Sequence, residues 1–275
     1  MKKRKIIQAI CRVPVAILIL TLYVSPFYIL ATISFKPVSD LSSYWIFPKQ
    51  PIIDNFKTAI EQAGIISSLL RTAFITVCVV SLVIIVSALA AYPLARRRTK
   101  LNKINIAFIL GVMMVPPLSI LVSLYSIIVT MGGVNQYWAI ILILITYQLP
   151  QAIFLYTNFI RAIPVTLDEA AAIDGCGPFT TFFKIIMPQL KPVTASVAIL
   201  SGINCWNDFQ FSRYILQSSE MNTVTLSISQ FFSQTYSDLN SAAAAAMVSI
   251  LPVVIAFLLL QKYFIQGMID SSIKG

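Results

Sequence analysis

Histidine is missing from this chain of 275 residues. Its absence removes imidazole general-base catalysis, histidine metal ligation and Ser-His-Asp triads together. Charge is scarce as well. Asp, Glu, Lys and Arg make up 11% of the residues, against about 25% in an ordinary soluble domain. Only ten residues are acidic, and none lies near the middle of a long apolar run, which argues against proton or sodium coupling through a membrane carboxylate. The four cysteines (Cys11, Cys78, Cys176, Cys205) show no C-x-x-C spacing. They read as small apolar fillers and imply neither a disulfide frame nor a metal site. No Gly-rich Lys-Ser/Thr phosphate loop occurs, so the chain is not expected to hydrolyse ATP itself.

What is present is mostly apolar: 58% of residues are hydrophobic, with a mean hydropathy of +0.84. Too little polar surface exists to cover such a chain in water, so a polytopic membrane protein is expected. The net charge of +10 raises the question of a nucleic-acid partner, and position answers it. The cluster at Lys2, Lys3, Arg4 and Lys5 and the cluster at Arg96, Arg97, Arg98, Lys100 and Lys103 both flank apolar runs. That is how cytoplasmic topology signals are placed, and no nucleic-acid partner is expected. The basic N-terminus imitates a signal peptide. Its uncharged run, Val13–Phe35, is 23 residues long, beyond a cleavable core of about 7–15, and no A-x-A site ends it. A retained first span is expected.

A helix needs about 20 apolar residues to cross a bilayer. Uncharged intervals place spans at Val13–Phe35, Thr72–Ala95 and Leu239–Gln261. Ile104–Ile160 has 57 uncharged residues, too many for one crossing, and the turn residues of "MGGVNQ" (Met131–Gln136) divide it. Pro192–Asn207, with 16 residues, must extend at one or both ends. The expected fold is all-α, with six transmembrane helices. Placing both termini in the cytoplasm puts fifteen Lys and Arg inside and five outside, as the positive-inside rule favours. The organisation expected is a cytoplasmic tail at 1–12, a transmembrane domain at 13–266 and a cytoplasmic tail at 267–275. Lys36–Leu70 and Phe211–Asn240 become long outer loops. Pro116-Pro117 should bend the third span, and Ala242–Ala246 should pack closely against a neighbour.

One cytoplasmic stretch at 164–188 is too polar to enter the bilayer. Thr166-x-x-Glu169 fits a capping box, the alanines that follow propagate helix, and Gly175 can end it in the left-handed conformation. Leu167, Ala170, Ala171 and Asp174 then share a face. The predicted helix is about eight residues, marginal alone and in need of something to pack on. Pro178 suits the first turn of a second helix, in which Phe179, Phe182, Phe183 and Ile186 form an apolar stripe with Lys184 off it. Pro188 and Pro192 would break or kink the chain next. Periodicity leaves two readings open: a helical hairpin lying on its own bundle, or a docking knob for a cytoplasmic partner.

The residues Glu169-Ala170-Ala171, Gly175, Ile185 and Pro188 carry a resemblance to the EAA loop of ABC importer permeases, E-A-A-x3-G-x9-I-x-L-P, with Met187 in place of the usual leucine. "IPVTLDEAAAIDG" looks like the version in carbohydrate (maltose-type) permeases. "SFKP" (Ser34–Pro37), "LAAYPLARRR" (Leu89–Arg98), "WNDF" (Trp206–Phe209) and the closing "IKG" agree with it over nearly the whole chain. The resemblance implies a type I permease of the bacterial cytoplasmic membrane, most similar to the shorter of two paired permease subunits. It implies a coupling role for Glu169, Ala170, Ala171, Asp174, Gly175, Phe179, Ile185 and Pro188. The partners implied are a second permease, two cytoplasmic ATPase subunits that bind ATP and Mg, an extracytoplasmic solute-binding protein and membrane lipid. This chain would itself be non-catalytic, without cofactor or metal.

Tyr147, Gln148, Asn204, Trp206 and Asn207 lie in or near the fourth and fifth spans. Amide and aromatic groups there suit a sugar pathway, and equally suit helix–helix hydrogen bonding or interfacial anchoring. Two rival functions make other demands on the sequence. An ion-coupled secondary transporter would need paired inverted repeats and a membrane carboxylate. A membrane-embedded enzyme without histidine would need acids inside its spans. Neither set of features is seen in the sequence.

Overall fold

A computed structural model describes the backbone of residues 2–232 and 238–272, and the side chains of residues 13–232, 238–259 and 261. Cys11, the basic side chains at 2–12 and the closing "IKG" lie outside these. Among the described residues the regular structure is helical: α1 (Lys2–Ser34), α2 (Asp54–Glu61), α3 (Ile65–Arg96), α4 (Lys100–Met113), α5 (Leu121–Thr130), α6 (Tyr137–Ala162), α7 (Thr166–Ile173), α8 (Pro178–Thr181), α9 (Met187–Gln189), α10 (Lys191–Trp206), α11 (Gln210–Ile215), α12 (Val224–Ser229) and α13 (Leu239–Ser272). Four stretches, Val13–Ser34, Ile65–Arg96, Tyr137–Ala162 and Leu239–Leu259, are long and apolar enough to cross a membrane. Two bent pairs complete the set, Lys100–Met113 with Pro117–Thr130 and Pro178–Gln189 with Lys191–Trp206. Counting each bent pair as one crossing gives the six expected.

The chain divides into two compact units, Met1–Ser67 with Ser227–Leu251, and Ser68–Leu226 with Pro252–Gly275. In the first, the "SFKP" stretch is the anchor. Lys36 is 1% exposed, which an ammonium tolerates only when its donors are used. Its Nζ donates to the Ser42 carbonyl (2.9 Å), Ser42 Oγ (2.7 Å) and the Ser43 carbonyl (2.9 Å), with Asp40 Oδ1 at 3.8 Å. Hydrogen bonds from Ser42 in turn hold the half-buried Asp40 carboxyl below the usual carboxylate range. The Lys36 carbonyl accepts from Asn55 Nδ2 (2.8 Å) and Asn240 Nδ2 (2.6 Å), so the end of α1, α2 and the start of α13 meet on one peptide. Ala242, Ala243, Ala244 and Ala245 are buried there, as the run of small residues suggested. Lys36–Leu70, read from the sequence as a loop, is largely ordered, since α2 lies within it and α3 begins at Ile65.

The second unit holds the bends. Between α4 and the 3-10 turn Pro117–Ile120 the axis turns by 92°. Pro116 and Pro117 lack backbone donors, and a residue before proline is pushed out of the helical region; Pro116 itself is extended, at φ −63° and ψ 135°. The "MGGVNQ" turn joins α5 to α6 with Gly132 at φ +67° and Asn135 at φ +57°. Asn135 Oδ1 accepts from the Gln217 N–H (2.6 Å) and the Ser218 N–H (2.9 Å), and its own N–H donates to the Ile215 carbonyl at 2.8 Å. The polar stretch after α10 is thus folded back and fixed, with Phe211, Ile215 and Leu216 buried. α10 itself has 16 residues, about 24 Å, short of a hydrocarbon core of about 30 Å. Before it, the axis bends by 74° at Leu190, where Pro178–Gln189 meets α10.

Candidate coupling site

α7 has the predicted length of eight residues but starts differently from the expectation. No capping box forms. Val165, the residue before the helix, is already in the helical region at φ −67° and ψ −25°, with no side-chain cap. Its carbonyl accepts from Asp168 N–H (2.9 Å) and Glu169 N–H (3.1 Å). Thr166 therefore sits inside the first turn, where its hydroxyl cannot act as a flanking cap. The C-terminal end follows the prediction. Gly175 has φ +78°, Gly175 N–H donates to the Ala172 carbonyl (3.1 Å) and Cys176 N–H to the Ala171 carbonyl (2.9 Å). This is the Schellman pattern, and an added Cβ at Gly175 would meet nothing within 4 Å.

The start of α7 is fixed from outside. Asp168 pairs with Arg96 Nη2 at 2.8 Å, with the two side chains 17% and 11% exposed. Asp168 Oδ1 also accepts from the Tyr92 hydroxyl at 2.6 Å. Arg96 Nη1 donates to the Ile160 (3.0 Å) and Ile163 (2.9 Å) carbonyls at and just past the end of α6. Tyr92 and Arg96 are one turn apart on α3 and share a face. That single face holds the end of α6 and the beginning of α7. Asp168, Tyr92 and Arg96 were not among the site residues chosen from sequence. The available signal was an acidic residue in the first turn of a short helix, together with an i, i+4 Tyr/Arg pair at the end of the second span.

The Tyr92 ring also packs on Phe182, with centroids 5.3 Å apart. Phe182 opens a π-helical segment, Phe182–Ile186, after which Met187 N–H donates five residues back to the Phe182 carbonyl. The buried positions here are four apart: Phe182, Ile186 and Leu190. The predicted stripe is split. Phe182 and Ile186 are buried, while Phe179 (76% exposed) and Phe183 face outward. On α7, Ala171 is buried and Leu167 half-buried, while Ala170 and Asp174 are exposed. Glu169, Ala170, Asp174, Gly175, Phe179 and Pro188 all reach the surface, Ile185 is half-buried, and Ile173 is 87% exposed. The segment is therefore clamped on one side and presents acidic and apolar groups on the other.

The polar residues of the fourth and fifth spans do not form one site. Tyr147 packs on Phe211 at 5.9 Å and lines a cavity of about 590 Å³ with Thr146, Gln151 and Met131. Gln148, one residue on, is buried away from that cavity, and neither amide atom has a hydrogen-bond partner among the described residues. Trp206 lines a separate apolar cavity of about 220 Å³ with Gly202, Pro252 and Phe257. Asn204 is exposed, and Asn207 donates to the Ile203 carbonyl at 3.0 Å. Asp208 supports the fold of "WNDF": it accepts from Ser212 N–H (2.9 Å) and Oγ (2.7 Å), and burial pushes its carboxyl pKa up.

A helical membrane body with a polar segment held between its fourth and fifth spans is an architecture this chain shares with transport permeases. Residues 83–270 match the family described as binding-protein-dependent transport system inner membrane component, and the chain belongs to that family. Its relatives include the melibiose/raffinose/stachyose import permease protein MelC of Bacillus subtilis (strain 168), 45% identical over 251 residues and covering 91% of each chain. The multiple sugar-binding transport system permease protein MsmG of Streptococcus mutans is 32% identical over 88% of each. The fold is shared with a bacterial ABC transporter involved in the import of the acidic polysaccharide alginate, at a TM-score of 0.81 and 19% identity, covering 96% of this chain and 98% of the other.

Proposed function

We propose that this chain is a permease subunit of an ATP-driven, binding-protein-dependent importer of a sugar or oligosaccharide, with both termini in the cytoplasm. A second permease completes the translocation pathway, two ATPase subunits bind ATP and Mg, and an extracytoplasmic binding protein delivers the solute. The single observation that carries the reading is the α7–π segment. It is locked to α3 and α6 through Tyr92 and Arg96, yet it presents Glu169, Ala170, Ile173 and Phe179 outward. A segment needed only for packing would turn Ile173 and Phe179 inward, and exposed apolar groups on a fixed segment suit a partner. Displacement of such a partner's cleft is then transmitted to the helix ends of α3 and α6 together. The sugar assignment rests on the substrates named for the MelC and MsmG relatives.

The test is uptake by Glu169→Lys and Gly175→Asp variants in membranes. Both lose solute uptake while their membrane level stays normal. Normal uptake by either one at normal expression removes the coupling role of this segment.

A further inference from the structure

The basic run after the second span does more in the structure than mark topology. Arg96, Arg97, Arg98, Lys103 and Arg161 surround a cavity of about 390 Å³ at the shared end of α3, α4 and α6, and no acidic residue lines it. Among the described residues three ion pairs form, and of these five cations only Arg96 takes part in one. The turn that carries them is built rather than slack. Asn102 Nδ2 donates to the Pro93 (2.9 Å) and Arg97 (2.8 Å) carbonyls, and Thr99 Oγ1 caps α4 by accepting from Asn102 N–H at 3.1 Å. Arg97, Arg98, Lys103 and Arg161 are exposed, so water screens their mutual repulsion in part, and an anion seated among them would gain from all five cations at once.

We infer that this cavity binds the phosphate of an anionic phospholipid headgroup. Phosphate is the class of anion that Arg and Lys clusters recognise best. The lipid is favoured over a free phosphate by the rest of the lining: Leu94, Ala95, Ile106 and Val165 give the cavity an apolar wall beneath its cationic rim. It also sits where one apolar helix ends at Arg96 and the next begins at Lys100, the depth at which headgroups meet protein. Val165 lines the cavity and is also the residue from which α7 starts, so an occupied site braces the base of the coupling segment.

The experiment is native mass spectrometry of the full-length chain, purified with whatever subunits accompany it, after exposure to mixed micelles of dioleoyl phosphatidylglycerol and phosphatidylcholine. The wild type retains phosphatidylglycerol in preference to phosphatidylcholine. Each exposed cation near the headgroups contributes about fivefold to affinity, so Arg98→Gln with Lys103→Gln lowers retention roughly twenty-five-fold, and Arg98→Lys with Lys103→Arg keeps it. Equal retention of the two lipids by the wild type overturns the inference without any variant. So does unchanged retention by the double Gln variant. Should that variant fail to fold, Arg161→Gln on the last turn of α6 serves in its place, with about a fivefold loss expected. In a separate arm, millimolar inorganic phosphate leaves the bound phosphatidylglycerol in place; complete displacement assigns the cavity to a soluble anion and overturns the lipid.

Discussion

Replacing Asp168 with Asn keeps the shape of the side chain and removes the charge that Arg96 faces. The pair is 2.8 Å apart with side chains 17% and 11% exposed. Removing one member of a buried pair costs about 3–5 kcal/mol, because the remaining charge is left uncompensated. Arg96 keeps two carbonyl acceptors, at Ile160 and Ile163, and it borders an open cavity that admits water. The low end, about 3 kcal/mol, is therefore appropriate. That is roughly a hundredfold shift in the balance between docked and undocked α7. Amide hydrogen exchange reads this directly: protection at 166–176 falls about a hundredfold while protection in the middle of α6 is unchanged. Uptake falls in parallel at an unchanged membrane level. Tyr92→Phe removes a hydrogen bond to a charged group, about 1.5–3 kcal/mol, but keeps the Phe182 contact, and gives a smaller loss. If Asp168→Asn shows wild-type protection and wild-type uptake, the clamp does not hold the segment and the reasoning fails.

Among uncharged substitutions at Gly175, uptake should rank by tolerance of the left-handed region, not by size, because a Cβ there meets nothing within the chain; Gly175→Asp fails instead through the charge it adds to the partner-facing surface. Uptake should be near normal for Gly175→Asn, reduced for Gly175→Ala and lowest for Gly175→Val, with a cost of about 1–2 kcal/mol for an ordinary residue. Lys36→Met removes the hydrogen bonds to the Ser42 and Ser43 carbonyls, which are exposed and can turn to water, at about 0.5–1.5 kcal/mol for each bond lost. A lower melting temperature of the purified protein, with protease cleavage appearing at 37–53, checks it. Chain purified free of other subunits shows no ATP turnover in a phosphate-release assay.

Much of the body was legible because bilayer thickness and charge leave few choices. The turn at Met131–Gln136, the bend at Pro116-Pro117, the short fifth span and the left-handed Gly175 all follow from local chemistry written in one or two residues. The coupling segment was legible in outline and wrong in detail for a common reason. Thr166 looked like a cap because the residues around it are consistent with one, but the start of α7 is decided by Asp168 meeting Arg96, which is 72 positions away. The Phe stripe splits because Phe182 packs on Tyr92 and Ile186 is buried in the core, while Phe179 and Phe183 turn outward. Tertiary pairing leaves no mark in periodicity. The pathway residues failed to gather because neighbours such as Tyr147 and Gln148 point to different sides of one helix, and closeness in sequence carries no such information.

Only three residues, 163–165, separate α6 from α7, and Arg96 bridges that gap from a third helix. A connector this short would ordinarily be the soft joint of the assembly. With one guanidinium bonded on both sides of it, slack there is removed, and any rotation imposed on α7 reaches two membrane helices at once. Under the proposed coupling role, the play a working cycle needs falls further along the chain, at the glycine-containing turn at 174–177 and the wide turn that follows it. Loosening should be tolerated there before it is tolerated at the joint.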